Sequence, residues 1–274
     1  MAFKNLTPEH IAATIFHDLH KNLAATQICY TEYMGEIKQS GDTVRFPGLN
    51  RPTVQAYTGS VTYTEPTDAG AVIKVDQDNY YGIKIESLDE KRSVVSIQKD
   101  QAREAMYELQ DICDTYILGL AQKLPEEFAV TVTPANVLST IARAKQVMLE
   151  NNVPMKMIKM VYPPWMETML SLAGIVFQIK NGSDAGDGVS YAKVLGVDVY
   201  ISNNVYQTGG VDYVMCLSGR AIAFADQMME SQVINPHPNF FGAGIRGRHV
   251  FGADILRPKE VIRLSLTEGT ISTI

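Results

Sequence analysis

The stretch from Ser93 to Lys123 reads SVVSIQKDQAREAMYELQDICDTYILGLAQK, and it decides the fold. Its apolar residues recur every three or four positions, which is the spacing of one helix face. They are Ile97, Ala102, Ala105, Met106, Leu109, Ile112, Cys113, Tyr116, Ile117, Leu120 and Ala121. No proline interrupts the run, and Pro125 ends it. About 30 residues at a rise of 1.5 Å predict a rod of roughly 45 Å, far longer than an average helix.

The chain before this helix has the alternating pattern of strands. The segments GDTVRFPGLN, SVTYTEPTD and AVIKVDQDNYYGIKIE, between Gly41 and Glu86, alternate or are rich in β-branched and aromatic residues. The section from Pro47 to Ala71 is rich in proline and glycine and has few bulky aliphatic residues. A β-ribbon of this composition cannot bury a face of its own and must pack on something else. This indicates a protein that assembles.

The chain after the long helix has a mixed pattern and then returns to strands. Helices are expected from Thr133 to about Asn151, in PWMETMLSLA and in SGRAIAFADQMM. Strands are expected in MKMIKMVYP, KVLGVDVYISNNV, VDYVMCL, HVFGADILR and EVIRLSLTE. Near the start of the chain, Thr7 and Pro8 suit the first positions of a helix with one narrow apolar stripe. We therefore expect an α+β fold without internal repeats.

Charge and composition argue against several classes of protein. The 274 residues carry a formal net charge of -6 and no run of lysine and arginine, which disfavours nucleic-acid binding through phosphate neutralisation. The most apolar stretch, METMLSLAGIVFQI, is too short and too polar to cross a membrane. Cys29, Cys113 and Cys216 are far apart and have neither metal-site nor redox-motif spacing. We expect them to be reduced, buried thiols.

One glycine motif needs to be tested against its surroundings. GAGIRG, from Gly242 to Gly247, matches the G-x-G-x-x-G of dinucleotide-binding loops. That loop requires a strand before the motif and a helix after it. INPHPNFF precedes the motif with two prolines, and RHVFGADIL follows it with the pattern of a strand. We therefore expect a glycine-rich turn that enters a strand, and no dinucleotide.

The remaining motifs do not predict chemistry. His17 and His20 lie three apart on a helix, but no third metal ligand is offered by the spacing. Asp184 and Asp187 lie in a glycine-rich loop that lacks the EF-hand order. Neither a G-x-S-x-G elbow nor a P-loop occurs. We predict no catalytic residue, no cofactor, no metal site and no enzyme.

The order of elements resembles the HK97 fold of major capsid proteins from tailed bacteriophages. In the first half, the resemblance rests on GDTVRFP, on YTG from Tyr57 to Gly59, on VTYTEPTDAGAVIKVDQDNYYGIKIESLDE and on EAMYELQDICDTYIL. In the second half, it rests on YAKVLGVDVYISNNV, AIAFADQ and GIRGRHVFGADILRPKEVIRLSL. It spans nearly the whole chain and implies an α+β, HK97-like capsid fold.

The resemblance implies a division of the chain into four parts. Residues 1–40 would form an N-terminal arm, and residues 41–75 would form an extended loop across a neighbouring subunit. Residues 76–127 and 226–274 would form a peripheral domain with the long helix as its spine. Residues 128–225 would form an axial domain.

The resemblance also implies a function. The chain would be a coat protein that self-assembles, as hexamers and pentamers, into an icosahedral shell around a double-stranded DNA genome. It would be made in the bacterial cytoplasm and become part of the virion, without sequence-specific DNA binding or a membrane. A separate scaffolding protein and a portal are the implied partners, and decoration proteins are left open. Two alternatives remain: an encapsulin-like nanocompartment shell, and a soluble α/β enzyme or small-molecule binding protein.

Residues of the ribbon are the candidates for contacts with a neighbouring subunit. They are Arg45, Phe46, Arg51, Tyr57 and Tyr63. For Phe46 and Tyr63, packing on their own sheet is the alternative. Some relatives weld their shells through a loop lysine and an asparagine of a neighbour, but this chain has no lysine between Gly41 and Ile73. We therefore predict a shell without that crosslink.

Overall fold

The computed structural model describes residues 23–31, 43–46, 54, 56, 63, 65, 70–86, 97–174, 191–234 and 242–270. The helices in these parts are α1 (Ala25–Ile28), α2 (Ile97–Gly119), α3 (Val137–Glu150) and α4 (Pro164–Leu172). The first strands are β1 (Thr43–Phe46), β2 (Ala71–Lys74), β3 (Gln77–Glu86), β4 (Glu126–Val132), β5 (Ile158–Tyr162) and β6 (Tyr191–Val194). The later strands are β7 (Val197–Ile201), β8 (Gln207–Thr208), β9 (Val211–Ser218), β10 (Ile222–Ile234), β11 (Gly242–Ile255) and β12 (Val261–Glu268).

The long helix predicted from the sequence is confirmed as α2. It has 23 residues and continues directly into a 3-10 helix, Leu120–Lys123. Leu109, Cys113 and Ile117, spaced four apart, are buried along one face. This is the apolar stripe that the spacing predicted, and it sets the helix against the sheets.

A seven-stranded sheet lies next to α2. Its strand order is β4-β12-β9-β5-β7-β6, and β8 pairs with β9. Side chains of one face pack with α3 and α4, among them Met160, Val199 and Leu264. Alternate residues, such as Val161 and Tyr200, pack with α1 and α2. The sheet is therefore covered on both faces, which explains its nearly continuous apolar strands.

A three-stranded sheet and a ribbon complete the fold. The three-stranded sheet has the order β10-β11-β3, and β1 pairs with β2 as a separate antiparallel ribbon. Phe251 packs towards α2, where its ring lies 5.5 Å from that of Tyr116. Ala223 and Val250 instead pack with Ile73 at the base of the ribbon. The ribbon is thus anchored at one end on the face of the sheet opposite to α2.

The prediction of a helix in SGRAIAFADQMM is wrong, because this segment forms the start of β10. Residues 221–225 are all buried, and Ile222 and Phe224 lie opposite Ile255 and Ala253 of β11. A short, continuous apolar run is compatible with a buried strand and with a buried helix. Pairing with a segment some 30 residues away decides between them, and the local pattern does not contain it.

The prediction of a turn at GAGIRG is also wrong. The whole motif lies within β11 and pairs with β3 from Gly242 opposite Glu86 to Gly247 opposite Tyr81. A Cβ added at Gly247 would lie within 2.8 Å of the Tyr81 hydroxyl, so the glycine makes room for this ring. The motif has a strand where a dinucleotide loop has a helix, which agrees with the rejection of the nucleotide-binding interpretation.

Most of the other predicted elements are confirmed. The helix after Thr133, the helix in PWMETMLSLA and the strands at β5, β9 and β12 occur as expected, and KVLGVDVYISNNV contains the β6–β7 hairpin. Neither β4 nor α1 was predicted. The expected helix at Thr7 lies outside the described residues. The strand β12, placed above with the peripheral part, is hydrogen-bonded between β4 and β9.

Candidate functional site

The ribbon is a short antiparallel pair followed by a long loop. Arg45 lies opposite Val72 and Phe46 lies opposite Ala71. At its base, Ile73 and Val75 have no exposed surface and pack on the three-stranded sheet. Residues 47–70 connect the two strands. The base of the ribbon is therefore fixed by apolar burial.

The described residues of the loop are exposed. The side chains of Val54 and Tyr63 are 93% and 91% exposed, and Ala56 and Glu65 are exposed as well. A valine and a tyrosine left in water forgo the free energy that burial of their apolar surface would release. Exposed apolar side chains grouped on one extended segment are typical of a surface that another molecule covers.

The structure places part of the predicted contact set. Arg45 and Phe46 lie in β1, and Tyr63 lies on the exposed loop. Because Tyr63 is 91% exposed, it is not packed on a sheet of its own chain. Arg51 and Tyr57 lie outside the described residues. Contact of these five residues with a neighbouring subunit stays a prediction.

Further exposed side chains lie on β3 beside the ribbon base. Tyr80 is 83% exposed, on the face of the three-stranded sheet that α2 does not cover. On the same face, Nε and Nη2 of Arg248 donate to the two carboxylate oxygens of Asp78 at 2.8 and 2.5 Å. The hydrogen bond from Arg248 lowers the pKa of Asp78. A shallow pocket of about 210 Å³ lies alongside, with Gly82 and Gly244 in its lining.

Sequence analysis missed a thiol, an imidazole and a carboxylate in line. Sγ of Cys113 lies 3.7 Å from Nδ1 of His249, and Nε2 of His249 lies 3.2 Å from Oδ2 of Asp226. This is the order of groups in a cysteine nucleophile with its base and orienting acid. However, Cys113 is 2% exposed, and burial raises the pKa of its thiol to about 12. A buried, protonated thiol is a poor nucleophile, so the three residues are better explained as a packed polar contact between α2 and the sheet.

Another groove, of about 510 Å³, lies between α3 and the β6–β7 turn. Its lining includes Ala142, Leu149 and Leu195, together with Lys145 and Glu150. Nζ of Lys145 donates to the carbonyl oxygen of Leu195 at 2.7 Å. The wall therefore holds one cation that is already bonded to backbone and offers no acid–base pair aimed at a common point.

Other expected features can be compared only within the described residues. There, all three cysteines are free and buried, as expected. No group of three or more acidic, cysteine or histidine residues could hold a metal in these parts of the chain. In the same parts, no helix has the length and apolar character needed to span a membrane. His17, His20, Asp184 and Asp187 lie outside the described ranges.

Comparisons with known proteins show similarity in structure. No family model and no curated protein matches the chain. A chain of Mycobacterium phage Che8 is 21% identical, with a TM-score of 0.70 over 96% of this chain and 98% of that one. The capsid of Cyanophage P-SCSP1u is 15% identical, with a TM-score of 0.71 over 94% and 92%. The capsid of Ralstonia phage GP4 is 11% identical, with a TM-score of 0.72 over 96% of both chains.

These similarities establish the class of fold. They extend over almost the whole length of both chains, so they include the ribbon, the long helix and both sheets in one arrangement. The chain has the HK97-like, α+β fold of phage capsid proteins, and the fold class predicted from the sequence is confirmed.

Proposed function

We propose that this chain is the major capsid protein of a tailed bacteriophage and that its copies form an icosahedral shell around double-stranded DNA. The observation that carries the proposal is the match of 94–96% of the chain to phage capsid structures. The exposed ribbon supports it, because a subunit of a thin shell has to bury area on several neighbours. A ribbon provides that area without thickening the wall.

The division into arm, extended loop, peripheral domain and axial domain is part of this proposal. The sheet topology supports one refinement. Because β12 (Val261–Glu268) pairs with β4 and β9, it fits better with the axial part, residues 128–225, than with the rest of 226–274. The peripheral domain would then consist of α2, β3, β10 and β11, with the extended loop anchored on its sheet.

The proposed partners are first of all other copies of the chain, grouped as hexamers and pentamers. A scaffolding protein and a portal are proposed on the resemblance alone, and so is synthesis in the host cytoplasm. A subunit with a net charge of -6 suits a lumen in which DNA moves freely, since like charges prevent adhesion. Contacts with DNA would then be weak and independent of sequence.

The two alternatives have less support. The solved structures named above come from phages, and another match is the capsid of a GTA particle, which does not favour a nanocompartment. An enzyme would need a concave site with activated groups. The one nucleophile-like arrangement found in the described residues has its thiol buried. A structural protein explains both the fold and the exposed ribbon.

Electron microscopy of the full chain tests the proposal. The chain is expressed alone and together with a candidate scaffolding protein, and both samples are examined by negative stain. Closed shells, sheets or tubes are the expected result. A monomer in both samples would contradict the proposal and favour an enzyme or a binding protein.

The composition of the loop gives a second, chemical test. Lysine is absent between Gly41 and Ile73, so the isopeptide bond seen in some relatives has no donor in the loop. Assembled particles should give a single band near 30.3 kDa on denaturing gels. Ladders of linked subunits would show that the prediction of an uncrosslinked shell is wrong.

A further inference from the structure

Residues 23–31 lie across the junction of α2 and the two sheets. The amide of Tyr30 donates to the carbonyl oxygen of Ile222 at 2.9 Å, and the amide of Phe224 donates back to the carbonyl oxygen of Tyr30 at 3.0 Å. On the other sheet, Nζ of Lys159 donates to the carbonyl oxygen of Gln27 at 2.6 Å. One segment of nine residues therefore contacts β10 of the three-stranded sheet and β5 of the seven-stranded sheet.

The same segment fills part of the core. Ala24, Ala25 and Ile28 have no exposed surface, and Cys29 is 8% exposed. They pack in one cluster with Ile117 of α2 and with residues of both sheets. Removal of the segment would uncover apolar surface on all three elements, so the segment is a part of the fold and its release has a free-energy cost.

One carboxylate, that of Asp114 on α2, fixes the start of the segment. Its Oδ1 accepts hydrogen bonds from the consecutive amides of Ala24 and Ala25 at 2.8 and 2.6 Å. Its Oδ2 accepts from Oγ of Ser202 at 3.1 Å and from Nδ2 of Asn204 at 3.0 Å. Both of the latter residues follow β7. Donors from the segment and from the seven-stranded sheet thus meet on a single side chain of the helix.

The carboxylate is buried without a counter-charge. Asp114 is 1% exposed, its four partners are neutral donors, and no cationic side chain of the described residues forms an ion pair with it. The titratable and charged groups nearest to it on the packed elements are Asp111, Cys113, Cys29, Lys159, Asp226 and His249. Burial raises the pKa of Asp114, although the four hydrogen bonds act in the opposite direction. In this closed arrangement the ionised form is therefore the disfavoured one.

We propose that residues 23–31 form a releasable strap between α2 and the two sheets, and that the negative charge of Asp114 loosens it. Release would expose the carboxylate to water, where an aspartate has a pKa of about 3.9. The closed strap therefore holds the proton more tightly than the open strap does. Consequently, the strap is most firmly closed below about pH 3.9 and opens more readily as the pH rises to the raised pKa. This inference concerns the single chain and does not depend on the proposed shell function.

Hydrogen exchange measured by mass spectrometry tests the strap on the full chain as purified. Exchange of the peptide that covers residues 23–31 is followed between about pH 4 and 8 and corrected for intrinsic chemical exchange. The opening constant should rise with pH, by at most about tenfold per pH unit, and then level off. A constant or falling opening constant would overturn the proposal. The peptide from β9 (Val211–Ser218) should not follow this rise, and a parallel rise there would show global unfolding instead.

Variants separate the charge of Asp114 from other causes. Asp114→Asn removes the charge with little change in shape, and its opening constant should not vary with pH. Asp111→Asn is the matched control, because it removes the adjacent carboxylate that shares Asn204, and it should keep the wild-type rise. A rise that persists in Asp114→Asn would overturn the proposal.

A third variant covers the case in which Asp114→Asn does not fold. Ser202→Ala keeps the charge and removes one donor to the carboxylate. The anion is then less well stabilised in the closed strap, so the rise should extend to higher pH and the strap should open more at neutral pH. A Ser202→Ala profile identical to that of the wild type would count against the proposal.

Discussion

The seven-stranded sheet and the ribbon differ most in how they treat apolar side chains. Met160 and Leu264 in the sheet have no exposed surface, whereas Val54 and Tyr63 in the ribbon loop are 93% and 91% exposed. Burial of apolar surface is the main favourable contribution to folding. The sheet is therefore stabilised by its own chain, while the ribbon loop has apolar surface left for another molecule. Folding and assembly should consequently depend on different residues.

The largest effect on folding is expected from Leu264→Ala. Leu264 is fully buried in β12, between β4 and β9, so its truncation removes apolar contacts and leaves a cavity. The free energy of unfolding should fall by about 2–5 kcal/mol, measured by urea denaturation with circular dichroism. Leu172→Ala is the matched control, because Leu172 is 53% exposed and its truncation should change stability by about 0.5 kcal/mol or less. Equal losses in both variants would contradict the comparison.

A smaller loss is expected from Gly252→Ala, at the base of the ribbon. A Cβ at this position would lie 2.5 Å from the carbonyl oxygen of Lys74 and 2.9 Å from Cα of Val75, so backbone has to move. Overpacking of this kind costs about 1–3 kcal/mol, and urea denaturation would measure it. Gly82→Ala in the same sheet is the control, since a Cβ there has nothing within 4 Å. A neutral Gly252→Ala would show that the ribbon base is not tightly fixed.

Removal of the exposed ion pair should have a smaller effect still. Asp78→Asn breaks the pair with Arg248, whose side chain is 45% exposed. Surface pairs contribute less than about 1 kcal/mol, and salt at about 1 M should remove the difference between variant and wild type. Because the pKa of Asp78 is lowered in the folded chain, its contribution is present above about pH 3.9 and is lost as the pH falls through the folded pKa. A difference between the two proteins that increases at low pH would contradict this assignment.

The smallest effect on folding, and the largest on assembly, is expected from Tyr63→Ser. The side chain is 91% exposed, so the free energy of unfolding should change by about 0.5 kcal/mol or less. The yield of shells in the electron-microscopy assay should fall, because the ring is lost from the contact with the neighbour. Tyr63→Phe keeps the ring and should assemble like the wild type. Normal shell yield from Tyr63→Ser would remove Tyr63 from the predicted contact set.

The sequence was sufficient where the signal is local. The three-and-four spacing around Leu109, Cys113 and Ile117 specifies α2, and alternation specifies strands such as β9. Helix and strand periodicities arise from geometry that repeats within a few residues, so they can be read without the fold. The same holds for the rejection of GAGIRG as a nucleotide loop, which needed only the neighbouring residues.

The sequence was not sufficient where contacts join distant segments. The segment AIAFADQ has an apolar run that suits a helix or a strand, and its pairing with β11 makes it a strand. The strand β4 was missed because its parallel partner, β12, lies more than 120 residues later. Nothing near Cys113 or Asp114 predicts His249, Asn204 or the amide of Ala24 as a partner. Such pairings depend on the whole chain being folded.

The sequence by itself thus determined the long helix, the ribbon with little apolar surface to bury, the absence of catalytic motifs and a resemblance to capsid proteins. Only the tertiary structure decided that β12 joins the seven-stranded sheet, that Tyr63 stays in water and that Asp114 holds residues 23–31. The physical reason is the range of the interactions. Periodicity reflects neighbours along the chain, whereas burial and hydrogen-bond partners depend on residues brought together from far apart.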